Sequence, residues 1–142
     1  MYTYSYPRPA VTVDAILISP KNSVLLIERG REPYKGKWAL PGGFIEMDEE
    51  LDVACRRELL EETGIGVGEL KQFKAFGGVD RDPRHRTISV IFYNFTKDEL
   101  VAQAGDDAAN AEWFPIHQLP GLAFDHRLIL EEFKAEILDH RK

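Results

Sequence analysis

Apolar and polar positions along the chain fall into blocks with different periods. Residues 11–19 (VTVDAILIS) and 23–27 (SVLLI) are β-branched and aliphatic, with Pro20-Lys21-Asn22 between them. That pattern predicts two adjacent strands joined as a hairpin. Residues 30–43 (GREPYKGKWALPGG) are rich in glycine and proline and predict an irregular excursion. A helix is predicted from near Glu49 to about Thr63, with Asp48 as its cap and Gly64 as its stop. Residues 68–77 form a weaker strand candidate, whereas 87–95 (TISVIFYNF) form a strong one. Residues 97–110 are acidic and small and read as a loop, followed by a short strand at 111–114 (AEWF) and a turn to Pro120. Residues 125–140 close the chain as an amphipathic helix, with Leu128, Leu130, Phe133, Ile137 and Leu138 as its expected apolar side. Strands interleaved with two helices favour a mixed sheet flanked by helices.

The first helix departs from the amphipathic rule. At about 100° per residue, Leu51, Ala54, Cys55 and Leu59 define one arc, and Glu58 and Glu62 lie in the middle of it. Two carboxylates one turn apart thus face the side that should meet protein. Buried like charges cost several kcal/mol unless something positive lies between them. A divalent cation with oxygen ligands answers the geometry, Mg²⁺ or Mn²⁺ being the natural guest.

The charge balance changes the picture only when it is located. The 142 residues carry 18 Lys+Arg against 24 Asp+Glu, a net −6. Between Glu46 and Glu62 stand eight acids and two bases, so this one segment holds the whole excess. The length suits one domain spanning residues 1–142. A net acidic chain argues against generic nucleic-acid binding, and no apolar run reaches the length of a membrane span. The single Cys55 allows no internal disulfide, and the start carries no secretory signal, so a cytoplasmic location is expected.

From Gly43 the chain reads GFIEMDEELDVACRRELLEETGI, with Gly43, Glu49, Arg57-Glu58-Leu59, Glu61-Glu62 and Gly64-Ile65 at defined spacings. This stretch resembles the Nudix box at every defined position. The lead-in Trp38-Ala-Leu-Pro-Gly-Gly and the later Ala111-Glu-Trp-Phe with Leu119-Pro120 agree with the resemblance. It implies an α/β fold, a Nudix-type α/β/α sandwich whose box forms a loop–helix–loop. It also implies Mg²⁺-dependent hydrolysis of nucleoside diphosphate derivatives, with Mn²⁺ as a substitute. Carried over by position, Glu58 and Glu62 match the principal metal ligands, Glu61 a further ligand or water contact, and the Gly42 carbonyl a backbone ligand. Glu49 and Arg57 match residues that orient the carboxylates. The base that accepts the water's proton varies in relatives between a box glutamate and a later acid, for which Asp106 and Asp107 are the candidates. Of the two, Asp107 is closer to the place where relatives put it.

Cations should meet the phosphates: Arg81, Arg84 and Arg86 in the loop before the strong strand, and Arg29 at the end of the second. Trp38, Phe44 and Phe92 are candidates for stacking on a base, though such aromatics are more often core. The four histidines show no ligand spacing and receive no role. The lead-in together with GGVDRDPRHRTISV looks like the ADP-ribose pyrophosphatase group, which implies cleavage of ADP-ribose to AMP and ribose 5-phosphate. The alternatives are a (deoxy)nucleoside triphosphate pyrophosphohydrolase of the 8-oxo-dGTP type and a domain that senses a nucleotide without turnover. Relatives are often homodimers, and the tyrosine-rich start (Tyr2, Tyr4, Tyr6) is either part of such an interface or simply mobile.

Overall fold

A computed structural model describes residues 3–105 and 107–141. Chain order is β1 (Ala10–Ile18), β2 (Ser23–Arg29), β3 (Trp38–Ala39), β4 (Gly42–Phe44), α1 (Leu51–Thr63), β5 (Lys71–Phe76), β6 (Thr87–Phe95), β7 (Ala108–Pro115) and α2 (His126–Glu136), with a 3₁₀ turn at Leu138–His140. The sheet runs β3-β2-β1-β6-β5; β4 adds to β1, and β7 to β2. β1 and β6 pair in parallel along all of β1, and the other pairs are antiparallel, so the sheet is mixed as expected.

Alternation along β1 sends successive side chains to opposite faces. Val13, Ala15 and Leu17 pack with Ala54, Cys55 and Leu59 of α1. Ile16 and Ile18 pack with Ile129, Leu130 and Phe133 of α2. The sheet is therefore sandwiched between the two helices. Gly64 at φ 73 stops α1, its N–H bonding the Leu60 carbonyl, as the sequence predicts.

Several expectations are corrected. α1 begins at Leu51 behind Glu50, and no side chain caps it; Asp48 does not. The stretch 30–43 contains β3 and reaches into β4, short strands whose glycines and prolines hide them until β2 and β1 provide partners. β7 starts at Ala108, inside the predicted loop, because its small residues pair with Arg29 and Glu28 across a bulge. Leu128 is 48% exposed; the buried face of α2 is Ile129, Leu130 and Phe133. Among the N-terminal tyrosines, Tyr4 and Tyr6 are exposed, and Tyr2 lies outside the described residues. No helix among the described residues is long and apolar enough to cross a membrane.

Two irregularities make room for a site. One edge of β1 pairs with β2 only at Ile18, and with β4 at Thr12 to Asp14. Between these contacts the sheet forks. On the α2 side of the sheet the residues also change character, since Thr12 and Asp14 precede Ile16 and Ile18, and Thr87 and Ser89 precede Ile91. α2 covers the apolar end, and the polar end stays open.

Candidate functional site

The fork holds a cavity of about 420 Å³. Its walls come from the polar ends of β1 and β6, from β4, from one face of α1, and from the loops after β2, before β6 and before α2. Glu58 and Glu62 of α1 both line it. Glu62 is only 8% exposed, and its Oε1 accepts the Gly42 N–H at 2.7 Å. The β1–β4 ladder has its hydrogen-bonded pairs at 11/45 and 15/41, which leaves Gly42 facing away from β1. Its carbonyl is thus turned to the same side as its N–H.

The two glycines of β4 let carboxylates close on it from opposite faces. A Cβ at Gly43 would lie 2.6 Å from the Glu58 carboxyl carbon, and one at Gly42 would run into Asp14. Arg57 fixes Glu58 in turn. Its Nε and Nη2 fork onto Glu49 at 2.6 and 2.9 Å, and Nη1 reaches Glu58 at 2.9 Å. The fork holds Glu49 below the usual carboxylate range and raises Arg57 above the usual guanidinium value. Glu61 is the exception among the box acids. It pairs with Arg57 at 3.2 Å on the outer side and does not line the cavity.

Among the described residues no three acid, histidine or cysteine side chains are gathered into a ready metal cage. On the box wall of the cavity the donors are the Glu58 and Glu62 carboxylates and a carbonyl-bearing glycine edge, all oxygen. That set fits a hard divalent cation that keeps part of its water shell and adds substrate oxygens.

The arginine expectations divide. Arg29, Arg81 and Arg84 line the cavity; Arg86 does not, and donates to the Gly77 carbonyl at 2.5 Å instead. The Arg81 side chain is 5% exposed with its fork already filled, by Asp125 at 2.6 and 2.9 Å and by Ser89 at 2.6 Å. It is thus a strut of the wall. Arg84 pairs with buried Asp82. Arg29 and Arg84 lie 5.0 and 5.7 Å from the same Phe124 ring. Burial, reinforced by the Arg84 charge, lowers the Arg29 pKa. Like charges crowded over one ring call for an anion. Asp107 lines the cavity beside Arg31, with which it forms an ion pair, and both are at least half exposed; Asp106 lies outside the described residues.

Among the lining residues that sequence reasoning missed, Arg31, Asp14, Phe124 and His126 bear on the chemistry. Arg31 follows Arg29 at a spacing of two, and that doublet was the available signal. Asp14 is an acid inside an otherwise apolar strand, which was signal enough. Burial pushes its carboxyl up to about 7, against the pull of Arg81 and with Asp125 and Glu58 adding to the rise. Phe124 and His126 carried no signal, because a lone aromatic and a lone histidine are ordinary core residues. Of the stacking candidates, Phe44 lines the cavity and is 42% exposed. Trp38 packs on Phe114, and Phe92 is buried beneath α1.

Comparison with known proteins identifies the family. The NUDIX domain profile matches residues 8–137. An ADP-ribose pyrophosphatase of Methanocaldococcus jannaschii is 44% identical over 129 residues, 90% of this chain and 75% of that protein. The NUDIX domain of Shewanella oneidensis NrtR, solved as a complex with ADP ribose, superposes with a TM-score of 0.85 at 30% identity, over 94% of this chain and 91% of that one. A bifunctional NMN adenylyltransferase/ADP ribose pyrophosphatase of Francisella tularensis, complexed with AMP and a Mn ion, superposes with a TM-score of 0.84 at 32% identity, over 94% of this chain and 43% of that one. The match spans nearly the whole chain, box and flanks alike, and the chain belongs to the NUDIX family.

Proposed function

We propose that this Nudix pyrophosphohydrolase cleaves ADP-ribose to AMP and ribose 5-phosphate, with Mg²⁺ as its metal and Mn²⁺ as a substitute. The observation that carries the reading is one cavity with Glu58 and Glu62 on one wall and crowded Arg29 and Arg84 on another. The 44% identity to an ADP-ribose pyrophosphatase supports the choice of substrate.

Anionic oxygens shield a pyrophosphate from nucleophiles. A bound divalent ion supplies charge neutralisation and acidifies water. Glu58, Glu62 and the Gly42 carbonyl would hold it, and Glu61 would join by releasing Arg57. Arg57 and Glu49 keep Glu58 in place. Arg29, Arg31 and Arg84 take the charge of the phosphates and orient the linkage. The proton leaving the attacking water passes to a carboxylate, Glu58 or Asp107. Asp107 becomes available when substrate draws Arg31 away.

The test is a panel of nucleoside diphosphate derivatives and nucleoside triphosphates with Mg²⁺, compared by kcat/KM. ADP-ribose should lead, and a preference for dGTP analogues would overturn the assignment. Glu62→Gln should abolish Mg²⁺-dependent turnover with an unchanged circular dichroism spectrum; wild-type rates in that variant would sink the metal assignment. The likeness to the ADP-ribose-bound NrtR domain favours a second reading, ligand sensing. Tight ADP-ribose binding without turnover in Mg²⁺ or Mn²⁺ would establish it.

A further inference from the structure

His126 is 4% exposed and lies at the start of α2, at the cavity wall. The backbone N–H of Leu40 donates to its Nδ1 at 2.9 Å, which places the ring proton on Nε2. Burial, only partly opposed by Asp125, holds its pKa down to about 4, so the ring is neutral at pH 7. Nε2 meets no acceptor among the described residues, yet no buried polar side-chain atom there lacks a partner. The Nε2–H therefore opens into the cavity as an uncharged donor.

Two residues earlier, Phe124 adopts φ 53, a left-handed conformation that is an outlier for a bulky side chain. The residue whose ring meets it edge-on at 4.8 Å, Tyr34, is a second outlier at φ 62. Two unfavourable backbone conformations thus support one aromatic wall. Phe44 extends it, with the planar Arg84 guanidinium between, 5.5 Å from Phe44 and 5.7 Å from Phe124. A diphosphate needs charge, which the arginines supply. A nucleobase needs a flat apolar surface and neutral hydrogen-bonding groups at its edge, which this corner supplies.

We infer that Phe124 and His126 form the nucleobase subsite: the base stacks against the Phe124 wall, taking the place the Arg84 guanidinium fills, and a ring nitrogen accepts from His126 Nε2–H. This rests on the reading of the substrate as a nucleotide. It makes His126 a determinant of base recognition that lies outside the box.

Asparagine and glutamine separate the two jobs of the ring. In His126→Asn, Oδ1 replaces Nδ1 as acceptor for Leu40, and the donor into the cavity is lost. In His126→Gln, the longer amide restores a donor near Nε2. Inhibition by AMP, which carries a base, is compared with inhibition by ribose 5-phosphate, which does not. In His126→Asn the Ki for AMP should rise about tenfold, as for one lost hydrogen bond. The Ki for ribose 5-phosphate should stay unchanged, as should the urea midpoint at pH 7. His126→Gln should recover most of the AMP affinity, and Phe124→Leu should weaken AMP alone. Equal loss for both ligands, or no loss for either, would overturn the subsite. Absence of ADP-ribose turnover would instead defeat the functional reading, and the same constants would then be measured with the substrate the panel prefers.

Discussion

Arg57 commits every guanidinium nitrogen to the box: Nε and Nη2 to Glu49, Nη1 to Glu58 and Glu61, and Nη2 also to the Phe44 carbonyl. Lysine would keep the charge and lose the fork. Arg57→Lys should therefore lower kcat by about 10–100-fold, the usual cost of losing a residue that orients metal ligands, with a smaller change in KM. Mg²⁺ titrations of the variant should shift to higher concentration; a wild-type titration would show that Glu58 holds its place unaided. Gly43 sets a second limit at this scale. An added methyl group 2.6 Å from the Glu58 carboxyl must push it aside. Gly43→Ala should lose turnover and about 1–3 kcal/mol of stability by overpacking, readable in urea titrations.

At the level of elements, α2 is held by its apolar face and the site end by polar ties. Phe133 is fully buried and meets Phe73, Tyr93 and Phe95 ring to ring. Phe133→Ala should cost about 3–5 kcal/mol in urea unfolding. Leu128→Ser, on the exposed side, should stay within about 0.5 kcal/mol. The contrast checks the correction to the helix face, and a large loss at Leu128 would reverse it. α1, β6 and the first hairpin were legible because period and composition act locally: Glu58 and Glu62 stood out against an apolar arc, and Gly64 marked the stop. β3, β4 and the first half of β7 were not legible, because Gly42, Gly43, Ala108 and Ala109 have no strand preference and pair only because β1 and β2 lie alongside. The site divides in the same way. Glu58, Glu61 and Glu62 share one helix and could be placed from spacing, whereas Asp14, Phe124 and His126 meet them only through sheet topology.

For the whole molecule, two buried groups set an acid–base balance. In metal-free protein the native His126 titrates near 4, below the ordinary 6.5, and native Asp14 near 7, above the ordinary 3.8. Between pH 4 and 6.5 the unfolded chain carries the proton on histidine and the native chain carries it on aspartate. The counts match, so this pair leaves stability nearly flat across that window. Asp14→Asn leaves only the depressed histidine, so stability should fall as pH drops from 6.5 to 4, by about 3 kcal/mol. His126→Asn leaves only the raised carboxyl, so stability should fall as pH rises from 4 to 7, by about 4 kcal/mol. Urea midpoints in chelator across pH 4–8 check both slopes, and flat profiles in both variants would refute the balance. Because Glu58 and Glu62 would hold the metal only in the folded chain, Mg²⁺ should also raise the melting temperature of the wild type and not that of Glu62→Gln.

The Arg81–Asp125 fork joins the loop before β6 to the residue that precedes α2. A segment rich in proline, glycine and arginine would ordinarily open on its own, far more often than a packed helix. Bolted to Asp125, it can swing out only by loosening the first turn of α2. Amide exchange in residues 78–82 and 126–129 should then proceed at one common rate, and Arg81→Ala should split it into a fast loop and a slower helix. Breathing of the cavity mouth would be rationed by the stability of the helix that roofs the core.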